Sequence, residues 1–91
     1  MQYSSTEEIY TDFLKAEQRI TTDTRKLEKG ALFFALKGEN FDGNSFCEKA
    51  LESGCAAVVA DDPTLFERPG VLLVENVLKA LQMLARHQQK P

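Results

Sequence analysis

The chain is 91 residues long, which suits one domain with a modest core and is too short for a nucleotide-binding domain plus a substrate domain. Its apolar share of 43% and charged share of 27% are typical of globular proteins, and no apolar run approaches the roughly 20 residues that cross a bilayer. A net charge of −3 disfavours a nucleic-acid platform, and the first ten residues lack the features of an export signal. We therefore expect a single domain over residues 1–91 that is cytoplasmic and binds neither nucleic acid nor membrane.

The first predicted element is a helix that begins after Ser5. Ser5 and Glu8 have the spacing of a capping box, in which each side chain bonds the other residue's amide. An apolar stripe at helical spacing follows, and we expect it to pack on a sheet: Ile9, Tyr10, Phe13 and Leu14. The alternative is a helix that offers this stripe to a partner.

Two predicted strands follow the helix. Residues 20–25 begin as a short β-prone segment and turn polar, and their hydroxyl and carboxylate groups can hold an irregular backbone. Gly30 ends a turn, where it is free to take a positive φ. Residues 31–36 are an apolar run between turn signals, which is typical of a central strand covered on both faces.

A helical crossover is predicted between that strand and the next. After a polar loop, Asn44 is placed to cap the helix and Gly54 to end it. Residues 55–60 form a second buried strand, and strands joined by a helical crossover run parallel.

The last predicted elements are a strand at residues 71–74 and a helix capped by Asn76. The expected apolar face of this helix consists of Val77, Leu78, Leu81, Leu84 and Ala85. The element order α-β-β-α-β-β-α predicts an α/β fold with a small, largely parallel sheet flanked by helices.

The sequence offers few side chains in arrangements that are typical of catalysis. The chain has one histidine, His87, and no nucleophile elbow or metal-spaced histidine pair. Cys47 and Cys55 fit neither a zinc site nor a disulfide framework, and we expect both to be free and buried. On these grounds the chain alone is not expected to catalyse a reaction.

The loop between the central strand and the crossover helix has the glycine spacing of a phosphate-binding P-loop, Gly38 to Gly43. The P-loop lysine is replaced by Asn44, which argues against a triphosphate. Free amides at the start of the helix could still meet one or two phosphates or sugar hydroxyls.

Ligands of open α/β sheets bind beyond the carboxyl ends of the strands. Pairing of the short strand at Ile20 with the central strand would bring Thr24 and Arg25 beside the loop at residues 37–44. Thr24 would then offer a hydroxyl, and Arg25 a planar fork for phosphate. The competing interpretation is turn chemistry with a structural ion pair of Asp23 or Arg25.

Residues 20–62 closely resemble the N-terminal domain of the Mur ligases, which build the peptidoglycan stem peptide. The resemblance rests on TTDTR at residues 21–25, FFALKGE at 33–39 and KALESGCAAVVADD at 49–62, with VLLVENV at 71–77 similar to the end of that domain. Within the family, the sequence of these segments is most similar to the members that add D-alanyl-D-alanine. The members that add the third stem residue have a closely related first domain.

The resemblance implies a three-domain ligase whose first domain holds the UDP end of a UDP-N-acetylmuramoyl peptide. The substrate-contacting positions fall on Thr24, Arg25, Glu39, Asn40, Phe41, Asp42 and Gly43. ATP and Mg²⁺ are implied for a central domain whose P-loop is expected shortly after Pro91, so this chain would hold no cofactor or metal. The alternatives are the ligase that adds diaminopimelate or lysine, and a free-standing, non-catalytic binding or scaffold module.

Overall fold

The computed structural model describes residues 3–38, 41–65 and 68–88. Over these ranges the helices are α1 (Thr6–Lys15), α2 (Cys47–Glu52) and α3 (Val77–Gln88). The strands are β1 (Ile20–Thr21), β2 (Leu32–Phe34), β3 (Lys37–Gly38), β4 (Phe41–Asp42), β5 (Ala57–Ala60) and β6 (Val71–Leu73), and 3-10 turns lie at Gly43–Phe46 and Pro63–Leu65.

The main sheet is parallel throughout, with the strand order β1-β2-β5-β6. The predicted α/β class and the parallel crossover are confirmed. β2 and β5 occupy the interior because every residue in them is buried, as the two continuous apolar runs indicated.

Two apolar layers cover the sheet, because side chains alternate between its faces. On one face α1 and α3 pack on Leu32, Phe34 and Val59. On the other face α2 packs on Phe33 and Val58. Both layers lie against β2 and β5, so these two strands carry the core.

Three helix ends are fixed as the sequence predicted. The Ser5 hydroxyl accepts from the Glu8 amide at 3.1 Å, and the Glu8 carboxylate accepts from the Ser5 amide at 3.0 Å. Gly54, at φ +93°, ends α2. Asn76 caps α3 by accepting from the Lys79 amide at 3.0 Å.

The predicted apolar stripes of α1 and α3 were too wide. Leu14 is 46% exposed and Leu78 is 52% exposed, and Ala85 is exposed as well. Successive helical residues are separated by about 100° around the axis, so the neighbours of a buried position point away from the sheet. Ala80, which the prediction omitted, is buried in the same layer as Val77 and Leu84.

The segment after β2 differs from the prediction. α2 begins at Cys47 with Phe46 as its N-cap and no side-chain cap bond, so the prediction of an Asn44 N-cap was wrong. The 3-10 turn at Gly43–Phe46 takes the place of the predicted first helical turn, and the Gly43 amide bonds the Leu36 carbonyl. The antiparallel hairpin of β3 and β4 was not predicted.

Within the described residues no helix combines the length and the apolar character needed to cross a membrane.

Candidate functional site

The carboxyl ends of β1 and β2 lie side by side. The two strands pair in parallel, with Ile20 opposite Leu32 and Thr21 opposite Phe33. The polar turn follows β1 and the β3-β4 hairpin follows β2, so both predicted ligand-binding segments leave the same edge of the sheet. The pairing of the Ile20 strand with the central strand, on which the sequence-based expectation depended, is present.

The polar turn has Thr24 and Arg25 at its corners. It is closed by the Lys26 amide, which donates to the Asp23 carbonyl at 3.0 Å. Thr24 is half-buried and Arg25 is exposed. Among the residues that the structure describes, none is hydrogen-bonded to the Thr24 hydroxyl, which leaves that group available to a ligand.

Asp23 organises the turn from within. Its carboxylate accepts from the Arg25 amide at 2.9 Å, from Arg25 Nε at 3.2 Å and from Arg25 Nη2 at 3.3 Å. These bonds from Arg25, led by its side chain, hold the pKa of Asp23 below its usual value, and the carboxylate in turn raises the pKa of Arg25. The structural ion pair that the sequence left open is therefore present, and the remaining guanidinium N–H groups stay available because the Arg25 side chain is 87% exposed.

Asp23 is expected to titrate below the ordinary aspartate value of 3.8, because its ionised form is hydrogen-bonded by Arg25. A folded-state pKa that is lowered adds stability above 3.8, and this stability is lost as the pH falls through the lowered value. The carboxyl ¹³C shift of Asp23, followed from about pH 6 downward, measures the midpoint. Arg25→Ala is the matched variant and should move it up towards 3.8. A midpoint at or above 3.8 in the unaltered chain would contradict the ion pair.

Thr21 is the residue of this turn that the sequence analysis did not single out. Its hydroxyl accepts from the Asp23 amide at 3.2 Å and donates to the Lys26 carbonyl at 3.2 Å. The available signal was a hydroxyl residue at the end of a strand, two positions before an aspartate, where side chains commonly bond nearby backbone groups.

Gly43 closes the hairpin onto the end of β2. Its amide donates to the Leu36 carbonyl at 2.7 Å, and the residue is buried. A Cβ at this position would lie 2.6 Å from the Leu36 oxygen and 2.9 Å from the Ala35 Cα, so the backbones approach more closely than any side chain allows.

The other predicted contact residues lie in or beside the hairpin. Phe41 and Asp42 form β4 and pair with Gly38 and Lys37. Glu39 and Asn40 lie outside the described residues, so their predicted contacts stay predictions.

The phosphate-binding interpretation of the glycine spacing is not favoured by this geometry. The Gly43 amide is already bonded to Leu36, and Gly38 lies in a strand of the hairpin. α2 starts later than expected and has only six residues. A sugar nucleotide at this edge would therefore be met by the Thr24 turn and the hairpin, without amides at a helix start.

The two cysteines are free and buried, as predicted. Burial raises the pKa of both thiols, so neither is activated as a nucleophile. Over residues 3–38, 41–65 and 68–88 no three metal-ligating side chains come together. His87 lies in α3, and its side chain is outside the described set.

Comparison with known proteins gives the family of this fold. The protein-family model described as "Mur ligase family, catalytic domain" matches residues 18–89 of the sequence. These residues include the turn, the hairpin and all of the parallel sheet. The chain belongs to the Mur ligase family. Its small parallel sheet with flanking helices is the architecture of the N-terminal domain of Mur ligases, as the sequence resemblance implied.

Curated Mur ligases of two activities are similar to the chain. It is 54% identical over 69 residues to the UDP-N-acetylmuramoyl-tripeptide–D-alanyl-D-alanine ligase of Bacillus subtilis, covering 74% of this chain and 15% of that protein. It is 44% identical over 68 residues to the UDP-N-acetylmuramoyl-L-alanyl-D-glutamate–2,6-diaminopimelate ligase of Aquifex aeolicus, covering 75% and 14%. The chain thus spans about one seventh of the length of these relatives.

Solved Mur ligases have the same fold. The MurF ligase of Thermotoga maritima in complex with ADP superposes with a TM-score of 0.69 at 33% identity, covering 77% of this chain and 16% of that one. The MurF of Acinetobacter baumannii gives 0.67 at 27% identity, covering 97% and 22%.

Proposed function

We propose that the chain is the substrate-binding domain of an ATP-dependent ligase that adds D-alanyl-D-alanine to UDP-N-acetylmuramoyl-tripeptide. Its similarity to two curated ligases of that activity, at 54% and 52% identity, supports this proposal. The reaction belongs to peptidoglycan precursor synthesis in the cytoplasm, and the parent protein would serve cell-wall biogenesis and, through it, cell shape and division.

The parallel pairing of β1 with β2 carries the proposal. Because the two strands are parallel, the Thr24 turn and the hairpin both follow the carboxyl ends of neighbouring strands. Open α/β sheets bind ligands beyond these ends. A UDP-sugar presents a uracil, a ribose and a diphosphate, so it needs several contacts spread over such an edge. The Thr24 hydroxyl and the free side of the Arg25 guanidinium are suited to its oxygens.

Charge also favours local recognition of the diphosphate. The chain carries a net charge of −3, so no general positive field attracts an anion. Asp23 neutralises part of the Arg25 charge through their exposed ion pair. The proposed site therefore relies on a few placed donors rather than on a basic surface.

ATP and Mg²⁺ do not fit the described residues. Asn44 stands where a P-loop has its lysine, and the described side chains form no cluster of metal ligands. We assign both to another part of the parent ligase, which would activate the stem carboxylate there. The 91-residue chain alone is proposed to bind substrate without turnover.

A second candidate is the ligase that adds the third stem residue, because the Aquifex relative at 44% identity adds diaminopimelate. The gene sequence beyond Pro91 and an assay of its full product with each amine, D-alanyl-D-alanine, diaminopimelate or lysine, would separate these activities. A gene without a P-loop and ligase region would favour a binding or scaffold module.

Titration of UDP-N-acetylmuramoyl-tripeptide into the ¹⁵N-labelled chain tests the site. We expect amide shifts at Thr24, Arg25 and at the five positions of the hairpin segment, which are Glu39, Asn40, Phe41, Asp42 and Gly43. Shifts confined to α3 would refute the site. If no amide of the chain shifts at a large excess of ligand, the proposal that this sugar nucleotide is the ligand is refuted.

Thr24→Ala is expected to raise the Kd for this ligand about two- to twelve-fold, because one neutral hydrogen bond is worth roughly 0.5–1.5 kcal/mol. Thr11→Ala is the matched control, since the Thr11 hydroxyl donates to the Glu7 carbonyl in α1, away from the turn. An unchanged Kd for Thr24→Ala would remove this residue from the site.

A further inference from the structure

The hydroxyl of Thr21 connects the first and last residues of the turn that carries Thr24. It accepts from the Asp23 amide at 3.2 Å and donates to the Lys26 carbonyl at 3.2 Å, with the Asp23 carbonyl at 3.4 Å. The turn itself spans Asp23 to Lys26 and is closed by one backbone bond. One side-chain oxygen therefore holds both ends of the loop.

Thr21 also links the turn to the buried central strand. It is the last residue of β1 and pairs with Phe33, which is fully buried. The hydroxyl is therefore attached to a backbone that pairs with the central strand. The hydrogen bonds of Thr21 therefore hold the turn in place relative to the sheet.

The Asp23–Arg25 pair cannot replace this connection. That pair joins residues within the turn and leaves the Lys26 end and the strand untouched. The Arg25 side chain is 87% exposed, and an exposed ion pair orders a loop only weakly. The orientation of the turn relative to the sheet thus depends on Thr21.

We infer that Thr21 is a positioning residue for the sugar-nucleotide site, which aims the Thr24 hydroxyl and the Arg25 guanidinium from the end of β1. The inference rests on the function proposed above. It adds a residue that does not touch the ligand and acts through the turn.

Two substitutions separate the hydroxyl from the shape of the side chain. Thr21→Val keeps the branched shape and removes the hydroxyl, whereas Thr21→Ser keeps the hydroxyl. Thr11→Val is the control, because it removes a hydroxyl that bonds backbone within α1. The readouts are the Kd for UDP-N-acetylmuramoyl-tripeptide and the hydrogen-exchange rates of the turn amides without ligand.

Thr21→Val is expected to raise the Kd about three- to ten-fold and to speed exchange at Asp23, Arg25 and Lys26 by a similar factor, since lost hydrogen bonds of this size loosen a loop locally. Exchange at Phe33 should stay slow, which shows an intact sheet. Thr21→Ser should restore affinity and exchange to within about two-fold, and Thr11→Val should change neither.

Unchanged exchange in Thr21→Val overturns the inference, and so does faster exchange with unchanged affinity in a chain that binds the ligand. Failure of serine to restore affinity has the same meaning. If the unaltered chain does not bind the sugar nucleotide, the proposed function fails separately. Exchange then decides about Thr21: faster exchange that serine reverses supports its hold on the turn, and unchanged exchange rejects it.

Discussion

Phe34→Ala is expected to lower the free energy of unfolding by about 3–5 kcal/mol, the usual cost of truncating a buried aromatic residue to alanine. Phe34 is fully buried in β2, where it joins the layer formed by α1, α3 and Val59. Its own strand has three residues and the neighbouring strands β1 and β5 have two and four, so little backbone is available to close the cavity. Urea denaturation followed by circular dichroism measures the change.

The loss is large relative to the whole stability of the fold. Small domains unfold at a total cost of about 5–15 kcal/mol, so the variant would have little stability left. Leu14→Ala is the matched control, because Leu14 is 46% exposed on α1 and its truncation should cost about 0.5 kcal/mol or less. Equal losses in the two variants would show that the central strand does not carry the core.

The buried strands could be predicted because their sequence is apolar on both faces. Residues 31–36 and 55–60 consist of small, branched or aromatic apolar side chains, a pattern that fits a strand covered by helices on two sides. Bonds just beyond the regular strands extend the pairing to Ala31, Ala35 and Ala56, whereas the predicted limits at Leu36 and Cys55 were too long, because their amides bond Phe34 and Ala50 instead. The Ala56 amide donates to the Ala31 carbonyl at 2.8 Å, and the Ala35 amide donates to the Val59 carbonyl at 2.9 Å.

The exposed positions of the helices could not be read from the pattern alone. Leu14 and Leu78 are exposed leucines next to the buried positions of their helices. Hydrophobicity alone does not show how wide a part of each helix surface the sheet will cover. That width depends on how α1 and α3 share one face of a four-stranded sheet. Tertiary packing therefore decided these two positions.

The candidate site was predictable in its parts but not in its connections. The polar residues after β1 indicated side chains that bond local backbone, and both Thr21 and Asp23 do so. Which oxygen meets which amide depends on rotamers that a sequence does not specify. The hairpin was missed because two-residue strands contain too little alternation to give a pattern.

Gly43→Ala is expected to cost about 2–3 kcal/mol of stability, because a methyl group must enter a space bounded by backbone. The added Cβ would lie 2.6 Å from the Leu36 oxygen, 2.8 Å from the Ala35 carbonyl carbon and 2.9 Å from the Ala35 Cα. None of these atoms can rotate away as a side chain would. The backbone must separate, and the bond from the Gly43 amide to Leu36, now 2.7 Å, must lengthen or break.

Gly54→Asn is the control for this variant. Gly54 has a φ of +93°, where asparagine is better tolerated than other residues, and the atoms next to it belong to the flexible Lys29 side chain. Its loss should be about 1 kcal/mol or less. Thermal unfolding distinguishes the two, since about 2–3 kcal/mol in a domain of this size lowers Tm by roughly 8–24 °C.

The same substitution separates the hairpin from the turn as parts of the proposed site. Gly43→Ala displaces the segment that follows β2, while the bonds from Thr21 and Asp23 that hold the Thr24 turn lie after β1 and are not touched. In the folded variant, the amide shifts of Arg25 and Lys26 without ligand should match those of the unaltered chain, and the Kd for UDP-N-acetylmuramoyl-tripeptide should rise. A stable variant with unchanged Kd would mean that the hairpin gives the ligand no contact, and the site would then reduce to the turn.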